Sequence, residues 1–129
     1  MRVRVIALLA CCVAVGLATA VAQKSKDSTL VDPDVHQVVF ENEHVRVLEA
    51  RASHGAKSPM HSHPPLLVVG IESARIKFTS PEGKTQILDL RPGMVLWLDG
   101  VEHSWELLAG EIHVVAVEVK AAQAAKAKQ

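Results

Sequence analysis

Tyrosine is absent from this 129-residue chain, and Phe and Trp contribute only two residues each. Fourteen basic residues balanced by fourteen acidic ones supply no field to hold a phosphate backbone or an anionic membrane. The composition therefore argues against a nucleic-acid partner. Cysteine occurs twice, as the adjacent pair Cys11–Cys12, so the rest of the chain offers neither a disulfide nor a thiolate ligand. There is no Gly-x-Ser-x-Gly elbow and no phosphate-binding glycine loop. The length also rules out an eight-fold strand–helix barrel, which needs roughly 250 residues. Against these absences stand seven histidines, more than all aromatics together, and histidine is the commonest protein ligand for metals.

The one long uncharged run lies at the start. Arg2 and Arg4 precede Val5 to Ala22, and both Ala18-Thr19-Ala20 and Ala20-Val21-Ala22 fit a small-x-small cleavage site, so residues 1–22 read as a secretory signal peptide. An uncleaved anchor and a lipoprotein modified at Cys11 are the rival readings. Cleavage would remove both cysteines and leave a periplasmic or secreted protein without a membrane attachment. Residues 23–34 are polar and patternless, as in a linker, and 121–129 are Ala, Lys and Gln, as in a frayed helical tail.

Residues 35–120 make one all-β domain. The stretch from Val35 to Val119 holds thirteen valines, no sustained helical period and frequent turn signals. Strands are expected at Val35–Phe40, Val45–Ala52, Leu66–Ile71, Ala74–Thr79, Thr85–Leu90, Val95–Leu98, His103–Leu108 and Glu111–Val119. Ser80–Lys84 and Ala109-Gly110 are the expected hairpin turns. Eight short strands in so short a stretch suggest a sandwich or a small barrel.

Residues two apart on an extended chain share a face, so His61 and His63 can present two imidazoles to one ion. If their phase continues, Leu67, Val69 and Ile71 share that face; His103 shares its own with Trp105 and Leu107. By itself the pair reads equally as two solvent-exposed loop histidines. His36, His44 and His54 have no partner at ligand spacing and are expected at the surface, while the phase of His113 with Val115, Val117 and Val119 directs it inward. Arg75 and Lys77 alternate with Ile76 and Phe78 as an exposed basic face.

The wider context resembles the two motifs of the cupin superfamily, Gly-x5-His-x-His-x3or4-Glu-x6-Gly and Gly-x5-Pro-x-Gly-x2-His-x3-Asn. Gly55-x5-His61-x-His63 carries the first, and Pro92-Gly93 followed by Gly100-Val101-Glu102-His103 carries the second. The resemblance implies a small jelly-roll β-barrel of RmlC-like type, with His61, His63 and His103 as metal ligands and Gly55, Gly93 and Gly100 at turns of unusual φ. It also implies a homodimer, for which Val35–Phe40 offers an apolar edge. The motif glutamate is missing, since Leu67 and Val68 stand in its place, the motif proline is displaced, and Leu107 replaces the asparagine. With these departures, the resemblance implies one divalent transition metal (Fe, Mn, Zn, Ni or Cu) on three imidazoles. Glu102 or Glu106 is the candidate carboxylate for proton transfer. Two functions fit: a metal-dependent, dioxygenase-like enzyme acting on a small organic molecule, or a non-catalytic cupin binding a sugar or organic acid.

Overall fold

A computed structural model describes residues 26–120; the expected signal segment 1–22 and the expected tail 121–129 lie outside the described residues. One short helix, α1 (Ser28–Val31), is followed by nine strands: β1 (His36–Glu41), β2 (Val45–Ala52), β3 (Lys57–His63), β4 (Leu66–Gly70), β5 (Ala74–Thr79), β6 (Thr85–Leu90), β7 (Val95–Leu98), β8 (Val101–Gly110) and β9 (Ile112–Val119). They form two antiparallel sheets, ordered β1-β2-β9-β4-β7 and β3-β8-β5-β6, which is the jelly-roll barrel expected from the sequence. Among the described residues no helix is long and apolar enough to cross a membrane.

Local chemistry explains the connections. The β5–β6 hairpin closes through Ser80–Lys84, with Gly83 at φ 82° and its N–H donating to the Ser80 carbonyl. Between β8 and β9, Gly110 takes φ 76°, and a side chain there would run into the Ser73 carbonyl, so the tight reversal requires glycine. Gly55, Gly93 and Gly100 also have positive φ, as the motif resemblance implies.

Three expectations need correction. Strand β3 occupies a stretch where no strand is expected; it is polar because Ser58 turns inward to donate to the Asp32 carboxylate while Lys57 and Pro59 face solvent. The phase of His61 and His63 does not continue into β4, because Pro64-Pro65, of fixed φ and without N–H groups, carries the chain from one sheet to the other. Leu66 and Val68, not Leu67 and Val69, therefore face the interior. From Lys26 onward, the expected linker is instead part of the domain: Ser28 is fully buried, Asp27 caps α1 through the Thr29 N–H (2.9 Å), and the Ser62 N–H donates to the Lys26 carbonyl (2.7 Å).

Two apolar clusters pack the barrel wall. Ala74, Ile76, Leu90, Trp105, Leu107 and Ile112 form one, and Leu48, Leu66 and Ala116 on the five-stranded sheet form the other. Part of the outer face of that sheet is also apolar. Register places Phe40, Val47, Val117, Leu67 and Trp97 in one row across all five strands, and the two ends of the row, Phe40 and Trp97, are 54% and 52% exposed.

Candidate metal centre

Register fixes the centre of the site, because β3 pairs with β8 so that His61 stands opposite His103. Their ring centroids are 4.9 Å apart; His63 lies 5.0 Å from His61 and 5.7 Å from His103. The three histidines picked out by sequence spacing thus share one end of the barrel, which also fixes where Phe78 sits, 4.9 Å from His103.

A fourth ring joins them. His36, expected at the surface, is 94% buried at the start of β1, with its centroid 4.8 Å from His61 and 5.5 Å from His63. The ligand nitrogens of His36, His61 and His63 all lie within 4.8 Å of one another, a grouping able to hold a metal ion, and His103, expected in the ligand set, is not part of that grouping. Sequence spacing could not reveal His36, because β1 reaches the site through the fold. His44 and His54 are exposed, as expected.

Hydrogen bonds orient these rings in one sense. Nδ1 of His61 lies 2.8 Å from the Pro59 carbonyl, Nδ1 of His36 3.3 Å from the Asp32 carbonyl, and Nδ1 of His63 2.8 Å from the Glu118 carboxylate. Each neighbour is an acceptor, so each Nδ1 carries the proton and donates, leaving the Nε2 lone pair free. Nε2 of His61 is buried and finds no hydrogen-bond partner among the described residues. A buried polar atom without a partner costs about 1–3 kcal/mol, and coordination to a cation would satisfy it.

Electrostatics agree. Burial, reinforced by the neighbouring imidazoles, pushes His36 down to about 4 and His103 down to about 3, and lowers His61 as well. These rings are neutral at pH 7, the form that binds metal. In unfolded chains they take up protons near 6.5, so below that pH the unfolded state binds more protons and folding weakens. The metal-free protein is therefore expected to show a lower denaturant midpoint at pH 5 than at pH 7. An unchanged midpoint would contradict the neutral cluster.

Behind His63 runs a chain of charges that sequence spacing does not reveal. Glu118 on β9 is 1% exposed; it accepts from His63 and, at 2.6 Å, from Arg46 Nε, and Arg46 in turn donates to Asp27 at 2.7 Å. Burial alone would raise the Glu118 carboxyl, but the bonds from His63 and Arg46 outweigh it and hold the group below the usual range. A lone carboxylate in the run Val114-Val115-Ala116-Val117-Glu118-Val119 was the available signal, since a charge on the inward face of a central strand needs a partner.

The remaining expected residues separate. Glu102 borders the cavity and pairs with Lys26, whereas Glu106 lies between Lys57 (3.3 Å) and Lys77 (2.9 Å) and does not line it. Val68 faces the cavity where the motif glutamate is missing, and Trp105 is both buried and a cavity wall. Arg75 and Lys77 pair with Asp89 and Glu106 away from the cavity. His113 bonds Glu49 at 2.8 Å and does not line the cavity either; Ile112, Val114 and Ala116 take the interior face of β9.

No family model and no curated protein matches the sequence. Solved structures do. A cupin domain from Bordetella pertussis Tohama I is 29% identical, with 67% of this chain covering 93% of that one at a TM-score of 0.62. An RmlC-like cupin with a double-stranded β-helix fold from Methanocaldococcus jannaschii matches at 11% identity and a TM-score of 0.53, over 71% of this chain and 84% of that one. A cupin superfamily protein from Desulfitobacterium hafniense DCB-2 matches at 13% identity and a TM-score of 0.51, over 66% and 75%. The two-sheet jelly roll, with the His-x-His pair set opposite a third histidine in the barrel, is the cupin fold of these neighbours.

Proposed function

We propose that this protein is a metal-binding cupin holding one divalent transition metal through His61, His63, His103 and His36, and that the metal acts on a small organic molecule admitted through the barrel. The observation that carries this reading is the unpartnered Nε2 of His61, buried where neighbouring rings also have their Nδ1 atoms engaged. His36 replaces the missing motif glutamate as the fourth donor. Neutral imidazoles do not offset the +2 charge, so an ion held there supplies a strong Lewis acid, and a redox-active one supplies oxidative chemistry. Ligand type alone does not select among Fe, Mn, Zn, Ni and Cu.

The protein's own contribution is orientation and exclusion of water. Glu118, Pro59 and Asp32 fix which nitrogen of His63, His61 and His36 faces the site, and apolar side chains line the barrel beside it. Of the two glutamates named from the sequence, only Glu102 borders the cavity, which supports it over Glu106 as the proton-transfer carboxylate. Loading the purified protein with Fe(II) without oxygen, then measuring oxygen uptake over diketones, thiols and phenols, tests the enzymatic reading. Uptake with one class supports it; none with any class, beside ligand binding without metal, favours the non-catalytic reading.

We also propose that two copies pair through the outer face of the five-stranded sheet. The row from Phe40 to Trp97 supports this, as does the bond from Trp97 Nε1 to Asp99 (2.7 Å), which satisfies the indole and leaves its ring for contact. Light scattering at micromolar concentration should give twice the chain mass, and Phe40→Asp with Trp97→Asp should give a monomer. A wild-type monomer would overturn the pairing.

A further inference from the structure

The cavity running from the histidines into the barrel is about 730 Å³, within the range of small-molecule sites. Its chemistry is divided. His36, His63 and His103 stand at the metal end, while the other polar side chains lining it, apart from Glu102, come from one hairpin segment, Ser80 to Gln86, where Glu82, Lys84, Thr85 and Gln86 are exposed. Glu102 is already paired with Lys26. Everything else on the wall is apolar except the indole N–H of Trp105.

Six of those wall residues, Val68, Phe78, Leu88, Leu96, Leu98 and Val114, point into the cavity yet are only half-buried, so they present hydrocarbon to open space. Along β4 and β5 the backbone offers no substitute for polar side chains, and only the edge strands β6 and β7 keep one unpaired edge each beside the cavity. β4 is hydrogen-bonded on both edges, to β9 and β7, and β5 likewise to β8 and β6. A hydroxyl or carboxylate carried into this region would lose its water and find no partner, at a cost of roughly ten-fold in affinity or more for each such group. An apolar body loses nothing there and covers the exposed hydrocarbon.

We infer that the site takes a predominantly apolar small molecule bearing one oxygen-donor headgroup, such as an aryl or alkyl ketone, enol or phenol, with the headgroup at the histidines and the apolar body against Phe78, Val68, Leu96 and Leu98. Sugars, polyols and polycarboxylates are excluded by the same wall, which sets aside the sugar or organic acid expected of a non-catalytic cupin. No arginine lines the cavity to clamp a second carboxylate, and Lys84, its one basic side chain besides the histidines, lies exposed on the hairpin rather than against the apolar wall. The placement of the headgroup rests on the metal reading proposed above, whereas the preference for an apolar body rests only on the wall.

The test uses the neutral fluorophore N-phenyl-1-naphthylamine, first with metal-free protein and then with protein loaded with zinc. The probe should bind the metal-free form, be displaced by 1-phenylbutane-1,3-dione and be left in place by glucose and citrate at a hundred-fold excess. With zinc bound, the dione should compete at concentrations at least ten-fold lower. Leu88→Trp and Leu96→Trp, which fill the cavity from the edge strands β6 and β7, should each weaken the probe ten-fold or more without changing zinc stoichiometry. Failure of the wild-type protein to bind the probe, or displacement by glucose or citrate but not by the dione, overturns the inference even where zinc binds normally. Apolar selectivity in a protein that binds no zinc leaves the wall argument standing and removes only the headgroup. Should either variant fail to fold, the wild-type competition decides alone.

Discussion

Replacing His61 with Ala is expected to lower affinity for divalent metal by about a hundred-fold or more, since loss of an outer hydrogen-bond partner alone costs some 10–100-fold. His61 is fully buried at the centre of the cluster, with a ring contact to each of the other three histidines. His63→Ala and His103→Ala should behave alike. His36→Ala is the discriminating variant: a surface histidine would leave affinity unchanged, but a ring buried 4.8 Å from His61 should cost as much as the others. Competition against a fluorescent chelator measures all four, with His44→Ala and His54→Ala as exposed controls. Equal affinity in His36→Ala and wild type would remove His36 from the ligand set.

The second large effect is expected at Glu118. Glu118→Leu leaves the Arg46 guanidinium, whose side chain is 18% exposed, with only Asp27, and leaves the Nδ1 proton of His63 without its acceptor. Breaking a buried charge pair from one side costs about 3–5 kcal/mol, and the lost orientation of His63 should weaken metal binding about 10–100-fold besides. Glu118→Gln keeps an oxygen acceptor for one of the two donors and should fall between Glu118→Leu and wild type on both measures. Chemical denaturation reads the first quantity and chelator competition the second. A change below about 1 kcal/mol in Glu118→Leu would show that the buried carboxylate is not what holds Arg46 and His63.

These two sites also show what was legible in the sequence. Strands β2, β5, β6 and β7 match their expected limits residue for residue, because each is a β-branched or apolar run cut off by a turn signal such as Pro81-Glu82-Gly83 or Pro92-Gly93. His61, His63 and His103 were legible through spacing and motif. His36 was not, because its neighbours lie on β3 and β8, distant in sequence. The phase of β9 misled for a different reason: Val115, Val117 and Val119 on its outer face are as apolar as Ile112, Val114 and Ala116 inside, so alternation carries no direction there. Two polar residues break the symmetry, His113 on the outer face and Glu118 on the inner one. Pro64-Pro65 marked a break, but not that the chain changes sheets across it.

X-ray absorption at the metal edge, on protein purified with its native metal, tests the metal centre most directly. One transition metal per chain with the multiple scattering of several imidazoles and no sulfur in the first shell is the expected result, lost in His61→Ala. Metal below a tenth of an equivalent after loading with each of Fe, Mn, Zn, Ni and Cu, or a signal unchanged in His61→Ala, would contradict it.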